Sequence, residues 1–185
     1  MEKTKDIDKN ILIRAKTGDL EAFEYILSFY EKAIYNYCLR MIKNSQNAKD
    51  ITQETFIKVY THRKEIDPEK NIKTWIFTIA TNTTYDFIRS KKRKRETSLD
   101  EKTERNETIP NLEAYYPREG LVSDVERALE QINPKYGEAL ILFYQQGFEY
   151  KEIAEILNIP INTIKTHISR GKDQLKDILK EYGKD

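Results

Sequence analysis

The sequence is poor in the residues that build disulfide scaffolds, metal centres and phosphate loops. It has one cysteine, two histidines, six glycines and five prolines among 185 residues. A lone Cys38 excludes an internal disulfide and fits a reducing cytosol; between Tyr37 and Leu39 it reads as core. No apolar run approaches the roughly 20 residues that cross a bilayer. The opening MEKTKDIDKN lacks the apolar centre of a secretory signal. The expected location is the cytoplasm, with no membrane insertion. There is no nucleophile paired with a base and no glycine loop to cradle phosphate, and no dense carboxylate cluster. Asp50 and Glu54 share a helix face without a third acid, and His167 has no second ligand nearby. No catalytic residue, metal or cofactor is therefore expected. Alternation of β-branched residues is also missing, so the expected fold is all-α.

The sequence does have sorted charge. Charged residues make up 34% of the chain, yet the net charge is only +1. Six cations cluster from Arg89 to Arg95, whereas Glu96 to Glu119 holds seven acids and three bases. The cations end the stretch NIKTWIFTIATNTTYDFIRSKKRKR, residues 71–95. There Ile72, Trp75, Ile76, Ile79, Ala80, Thr83 and Phe87 recur at helical spacing and read as one apolar face. Asn82, Tyr85, Asp86 and Arg89 fall on another, mostly polar face. Cations suit any helix C-terminus because they complement its dipole, but a cluster this dense also fits a polyanion such as nucleic acid.

Along the chain, a short helix is expected over residues 8–16, stopped near Gly18. Asp19 is a plausible N-cap for a helix over 20–30. A further helix is expected over 31–43, with Ile34, Tyr37, Cys38 and Met41 inward. After a polar break at 44–47 comes a helix over 48–63 that buries Ile51, Thr55, Phe56 and Val59. With the helix after Pro68 these form one bundle, residues 1–95. Residues 96–119 lose periodicity, carry Pro110 and Pro117, and read as an acidic flexible linker. The second small helical domain is expected at 120–185. Val122, Val125, Ala128, Leu129 and Ile132 mark its first helix face, Pro134 opens the next helix, and Gly147 stops it.

That domain ends in YKEIAEILNIPINTIKTHISRGK, residues 150–172. Ala154 is small where two helices must cross, and Asn158 tolerates left-handed φ in the turn. Ile153, Leu157, Ile159, Ile164 and Ile168 join the helices. This is the pattern of a DNA-reading helix-turn-helix. In the last helix Ile164, Ile168, Gly171 and Leu175 face inward. Asn162, Lys165, Thr166, Ser169 and Arg170 face outward, and no acid occurs from Ile161 to Lys172. Such side chains suit base edges and phosphates of a major groove. His167, on the flank, reads as a phosphate or packing residue.

The runs AKDITQETFIKVY (48–60), TWIFTIATN (74–82) with Asp86 and Arg89, and the helix-turn-helix together resemble the extracytoplasmic-function (ECF) sigma factors. These are promoter-specificity subunits of bacterial RNA polymerase. The resemblance implies that Asp50, Gln53 and Glu54 dock on the core polymerase. It implies that Asn82 and the loop Glu65 to Lys73, including Asn71, hold a flipped base of the −10 non-template strand. Tyr85, Asp86 and Arg89 would lie nearby, with Tyr85 rather than Trp75 as the stacking candidate. It implies −35 reading by Lys165, Thr166, Ser169 and Arg170, supported by Thr163 and Lys172 on phosphates. An anti-sigma factor is a further implied partner. Thr78, Thr81, Gly137 and Phe143 stand where members often carry basic residues. The competing readings are a helix-turn-helix regulator that binds duplex DNA without polymerase and a nuclease or recombinase with this motif as its tail.

Overall fold

A computed structural model describes residues 7–97, 125, 127–129 and 131–182. The described secondary structure is helical, and the chain divides into two compact units, Met1–Glu107 and Thr108–Asp185. The expected linker lies outside the described residues except for its first two, which continue a helix.

In the first unit, α1 spans Lys9–Thr17. Asp8 caps it by accepting from the Asn10 amide, and Gly18 ends it at φ 98°, a conformation that favours glycine. Asp19 caps α2 (Leu20–Ile42), accepting from the Ala22 amide. Its carboxyl also accepts from Arg14 at 2.7 Å, and that bond holds it below the usual carboxylate range. The two helices expected over 20–43 are thus one helix of 23 residues. The physical reason is an unbroken stripe: Phe23, Ile26, Tyr30, Ile34, Tyr37 and Cys38 are all buried, and no glycine or proline interrupts it. Met41 is only half-buried. Asn44 caps α3 (Ser45–Thr61). A 3-10 turn at Arg63–Glu65 leads to α4, Ile72–Thr97.

Helices α2, α3 and α4 pack on one another around Tyr37, Phe77, Ile26, Ile34, Ile51 and Ile76. Phe77 is fully buried, with its ring 5.6 Å from Tyr37. The sequence reading left it off the apolar face and put Trp75 there instead; Trp75 is half-buried at the edge. Threonines fill much of the interface. Tyr37 Oη and Thr81 Oγ1 are 2.8 Å apart, and Cys38 Sγ lies 3.7 Å from Thr84 Oγ1. Thr52, Thr55, Thr83 and Thr84 donate back to carbonyls four residues earlier, so each buried hydroxyl is satisfied within its own helix. Burial pushes the Cys38 thiol up to about 11, so almost no thiolate exists at neutral pH. The folded protein is expected to be inert to an aromatic disulfide reagent and to react stoichiometrically in denaturant. Rapid colour without denaturant would contradict this burial.

In the second unit, residues 125, 127–129 and 131 are helical, with Ala128 and Ile132 buried; Val122 lies outside the described residues. Asn133 caps α5, Pro134–Leu140, which has proline in its first turn. The chain then widens into a π-helical turn at Ile141–Gln145 before Gly147 at φ 71°. α6 spans Tyr150–Leu157 and α7 spans Ile161–Tyr182.

Candidate nucleic-acid and protein interfaces

Helix α3 has a clear inside and outside. Ile51, Thr55, Phe56 and Val59 are buried, whereas Asp50, Gln53 and Glu54 are exposed on the opposite side. Gln46 donates to Asp50 Oδ1 at 3.3 Å, and Lys58 pairs with Glu54 at 2.8 Å and donates to Thr83 at 3.2 Å. Ile57, seven residues after Asp50, shares this outer face and is 66% exposed. The sequence reading missed it. Its signal was an apolar residue out of register with Ile51, Thr55 and Val59. A carboxylate-bearing face centred on a bare isoleucine is suited to a protein partner, because apolar contact supplies affinity and charge supplies register.

On α4 the polar face is a stripe. At 3.6 residues per turn, Asn71, Trp75, Thr78, Tyr85, Asp86 and Arg89 fall within about 60° of Asn82 around the axis. Asn71, Asn82, Asp86 and Arg89 are exposed; Trp75, Thr78 and Tyr85 are half-buried. Trp75 therefore belongs with the polar stripe rather than the core. Asn71 begins the helix, its Oδ1 accepting from the amide of the half-buried Lys73 at 3.0 Å. Arg89 donates to Asp86 at 2.7 Å. Lys91 lies over the Phe87 ring at 5.4 Å, and residues 91–94 are exposed. The departure at Thr81 removes no phosphate contact: this residue is 1% exposed and bonded to Tyr37, so its position faces the core. Thr78 is half-buried and donates to the Thr74 carbonyl at 2.9 Å.

The second unit forms the expected helix-turn-helix. Glu149 and Glu152 make a capping box at the start of α6. Asn158 takes φ 50°, the left-handed turn anticipated for it. Ile153, Ile156, Ile164 and Ile168 are buried between the helices. Ile156 takes the core place that the sequence reading gave to Leu157, which is half-buried. Gly171 lets α7 cross α5 closely, because an added Cβ would sit 2.9 Å from Leu140 Cδ1 and 3.2 Å from Tyr136 Cβ.

Outside, Asn162, Lys165, Thr166, Ser169, Arg170 and Lys172 are exposed, with Thr163 half-buried. Arg170 donates to Tyr136 Oη at 3.3 Å, and this bond pushes its pKa up. His167 is half-buried with its ring 5.3 Å from that of Tyr136. Its pKa is lowered by burial first, then by Lys135 and Arg170, which disfavours the charged ring that a phosphate contact would use. Gly137 is buried, and an added Cβ would meet Ile132 at 3.6 Å, an ordinary van der Waals contact. Phe143 packs its ring against Tyr144 and Tyr150. A mainly apolar cavity of about 730 Å³ lies between Leu140, Ile141, Tyr144, Leu175 and Leu179. Among the described residues no group of His, Cys, Asp or Glu could hold a metal ion, and no helix is long and apolar enough to cross a membrane.

Residues 28–94 match Sigma-70 region 2, and residues 123–175 match Sigma-70 region 4. The chain is 33% identical to the ECF RNA polymerase sigma factor SigW of Bacillus subtilis, covering 94% of this chain and 97% of that protein. It is 26% identical to the ECF RNA polymerase sigma-E factor of Haemophilus influenzae, over 92% of this chain and 94% of that one. Among solved structures it resembles the sigma factor RpoE of Bartonella quintana, solved with the anti-sigma factor NepR. The TM-score there is 0.73 with 26% identity, over 85% of this chain and 96% of that one. The region 2 match contains α3 and most of α4, and the region 4 match contains the helix-turn-helix. The chain therefore belongs to the ECF family of RNA polymerase sigma factors.

Proposed function

We propose that the two units divide promoter recognition between them. The outer face of α3, Asp50, Gln53, Glu54 and Ile57, docks on the core polymerase. The α4 stripe with Lys73 and the preceding turn Ile66 to Asn71 take the −10 element, with Asn82 and Asn71 facing an unstacked base and Tyr85 or Trp75 stacking beside it. Asp86 and Arg89 flank that base, and the cations beyond them grip phosphate. Unstacking costs roughly a few kcal/mol per step. Stacking on an aromatic returns about 1–3 kcal/mol per base, so one or two such contacts offset it. In the second unit α7 enters the major groove at the −35 element. The protein works in the cytoplasm without catalytic groups of its own, and an anti-sigma factor holds it between signals, as RpoE and NepR associate.

The observation that carries this reading is that acids and bases sit on different exposed faces of one bundle. The carboxylates lie beside an exposed isoleucine on α3, and the cations lie at the end of the α4 stripe. Purified protein added to core polymerase should start transcripts at specific promoters of its own genome. Duplex binding without core binding would instead mark a free-standing regulator, the reading that leaves the α3 face without a task.

At the −35 element, Arg170→Ala should cost about 1–3 kcal/mol at one base position and relax preference there. Competition binding with singly substituted duplexes measures it. Equal weakening on every duplex would make Arg170 a phosphate contact.

A further inference from the structure

Helix α1 precedes the matched region 2, yet it is fastened to the loop between α3 and α4 at three places. Lys16 Nζ donates to the Ile66 carbonyl at 2.8 Å. Lys9 pairs with Glu69 at 2.6 Å. Gly18, at the end of α1, backs onto the Arg63 guanidinium, which would lie 3.5 Å from an added Cβ. Arg63 in turn stacks 4.4 Å over Tyr60 and donates to the Tyr60 carbonyl at 3.0 Å.

These contacts differ in weight. Lys9 and Glu69 are both well exposed, and such pairs add little. The Lys16 bond is partly buried and charge-assisted, and it reaches the carbonyl of a residue that is 1% exposed. Immediately after Ile66 the backbone turns tightly. Asp67 accepts from the amides of Glu69 and Lys70, and Asn71 then starts α4. The Ile66 carbonyl is thus the anchor before a short, self-bonded turn that delivers Asn71. A shift at that anchor passes into the turn, because its internal bonds make it move as a piece.

We propose that α1 is a brace for the 66–71 turn, and that Lys16 is a positioning residue for base selection, acting through the Ile66 carbonyl. This rests on the reading that the turn and Asn82 receive a −10 base. Lys16 itself touches no base; it holds the turn in the shape that discriminates one.

The test uses the full-length protein bound to core polymerase. The probes are single-stranded DNA hexamers, each varied at one position to all four bases. Wild type should prefer one base at a position by about tenfold or more, and Asn82→Ala should erase that preference. Lys16→Met, which keeps the stem and loses the cation, should reduce the preference to about twofold. Lys16→Arg should retain it. Core affinity should be unchanged in all three, which also reports that the first unit is folded. Full preference in Lys16→Met would overturn the brace and leave the reading of the site intact. A wild type without preference, or one that Asn82→Ala leaves untouched, would overturn the site and the brace together. Loss of core binding in Lys16→Met would show that Lys16 supports the whole bundle, and would also overturn the proposal.

Discussion

Glu54→Lys is expected to abolish binding to core polymerase while the protein stays folded. Glu54 is exposed on α3, and its only described ion pair, to Lys58, is at the surface. Such pairs contribute about 0–1 kcal/mol, so the fold should lose no more than that. At an interface the balance reverses. Reversing one charge of a buried, hydrogen-bonded pair costs roughly 2–5 kcal/mol or more, chiefly through faster dissociation. That corresponds to about 30-fold to several-thousand-fold weaker binding. The new lysine would also stand one turn from Lys58 and repel it. Ile57→Asp, on the same face, should weaken binding by removing apolar contact. Surface-immobilised core polymerase measures both variants, with circular dichroism as the folding control. Undiminished capture of Glu54→Lys would remove this face from the interface.

The second large effect is expected from Thr81→Arg, the change that gives this chain the arginine often found in its family. Thr81 is 1% exposed and bonded to the fully buried Tyr37 hydroxyl. Arginine there would overfill the core, typically at about 1–3 kcal/mol. It would remove the bond to the Tyr37 hydroxyl and bring in a charge whose burial costs several kcal/mol even after relaxation. The total rivals the roughly 5–15 kcal/mol that stabilises an ordinary domain. The first unit should be largely unfolded at 25 °C. Thr81→Val, which loses only the hydroxyl and its bond to Tyr37, should cost about 0.5–1.5 kcal/mol. Urea titration followed by tyrosine and tryptophan fluorescence distinguishes the three proteins. A native-like midpoint for Thr81→Arg would mean that position 81 opens to solvent.

These two residues show what the sequence could and could not disclose. Caps and turns are legible where their chemistry is local: Asp19, Asn158 and Gly147 act on atoms a few residues away, whereas the polar run 44–47 reads as a break although Asn44 caps a helix that starts at Ser45. The outward set on α7 was legible because helical period and exposure coincide there. The break expected between Tyr30 and Glu31 does not occur, because the buried stripe runs through on the other side of the helix. Trp75 and Phe77 were exchanged because a rich apolar helix offers two overlapping faces, and only the positions of α2 and α3 select one. Thr81 looked like a lost surface contact because nothing in its own helix reveals Tyr37, 44 residues earlier. The π-helical turn at Ile141–Gln145 has no sequence sign, and the hold of α1 on the 66–71 turn joins residues 50 apart.

Helix α4 runs unbroken from Ile72 to Thr97, 26 residues. At 1.5 Å per residue, Asn82 and Arg93 are about 16 Å apart along its axis. A stacked duplex strand advances roughly 3.4 Å per phosphate along its axis; an opened strand is more extended, so that span holds fewer than five nucleotides. On the proposed reading of α4, the helix is a gauge of fixed length: one end sets which base is pulled out, and the other sets which phosphates are clasped. A single neutral methylphosphonate should weaken binding only within a narrow window, fewer than five nucleotides from the extruded base. Stretching the DNA between those two marks cannot be absorbed inside a straight rod.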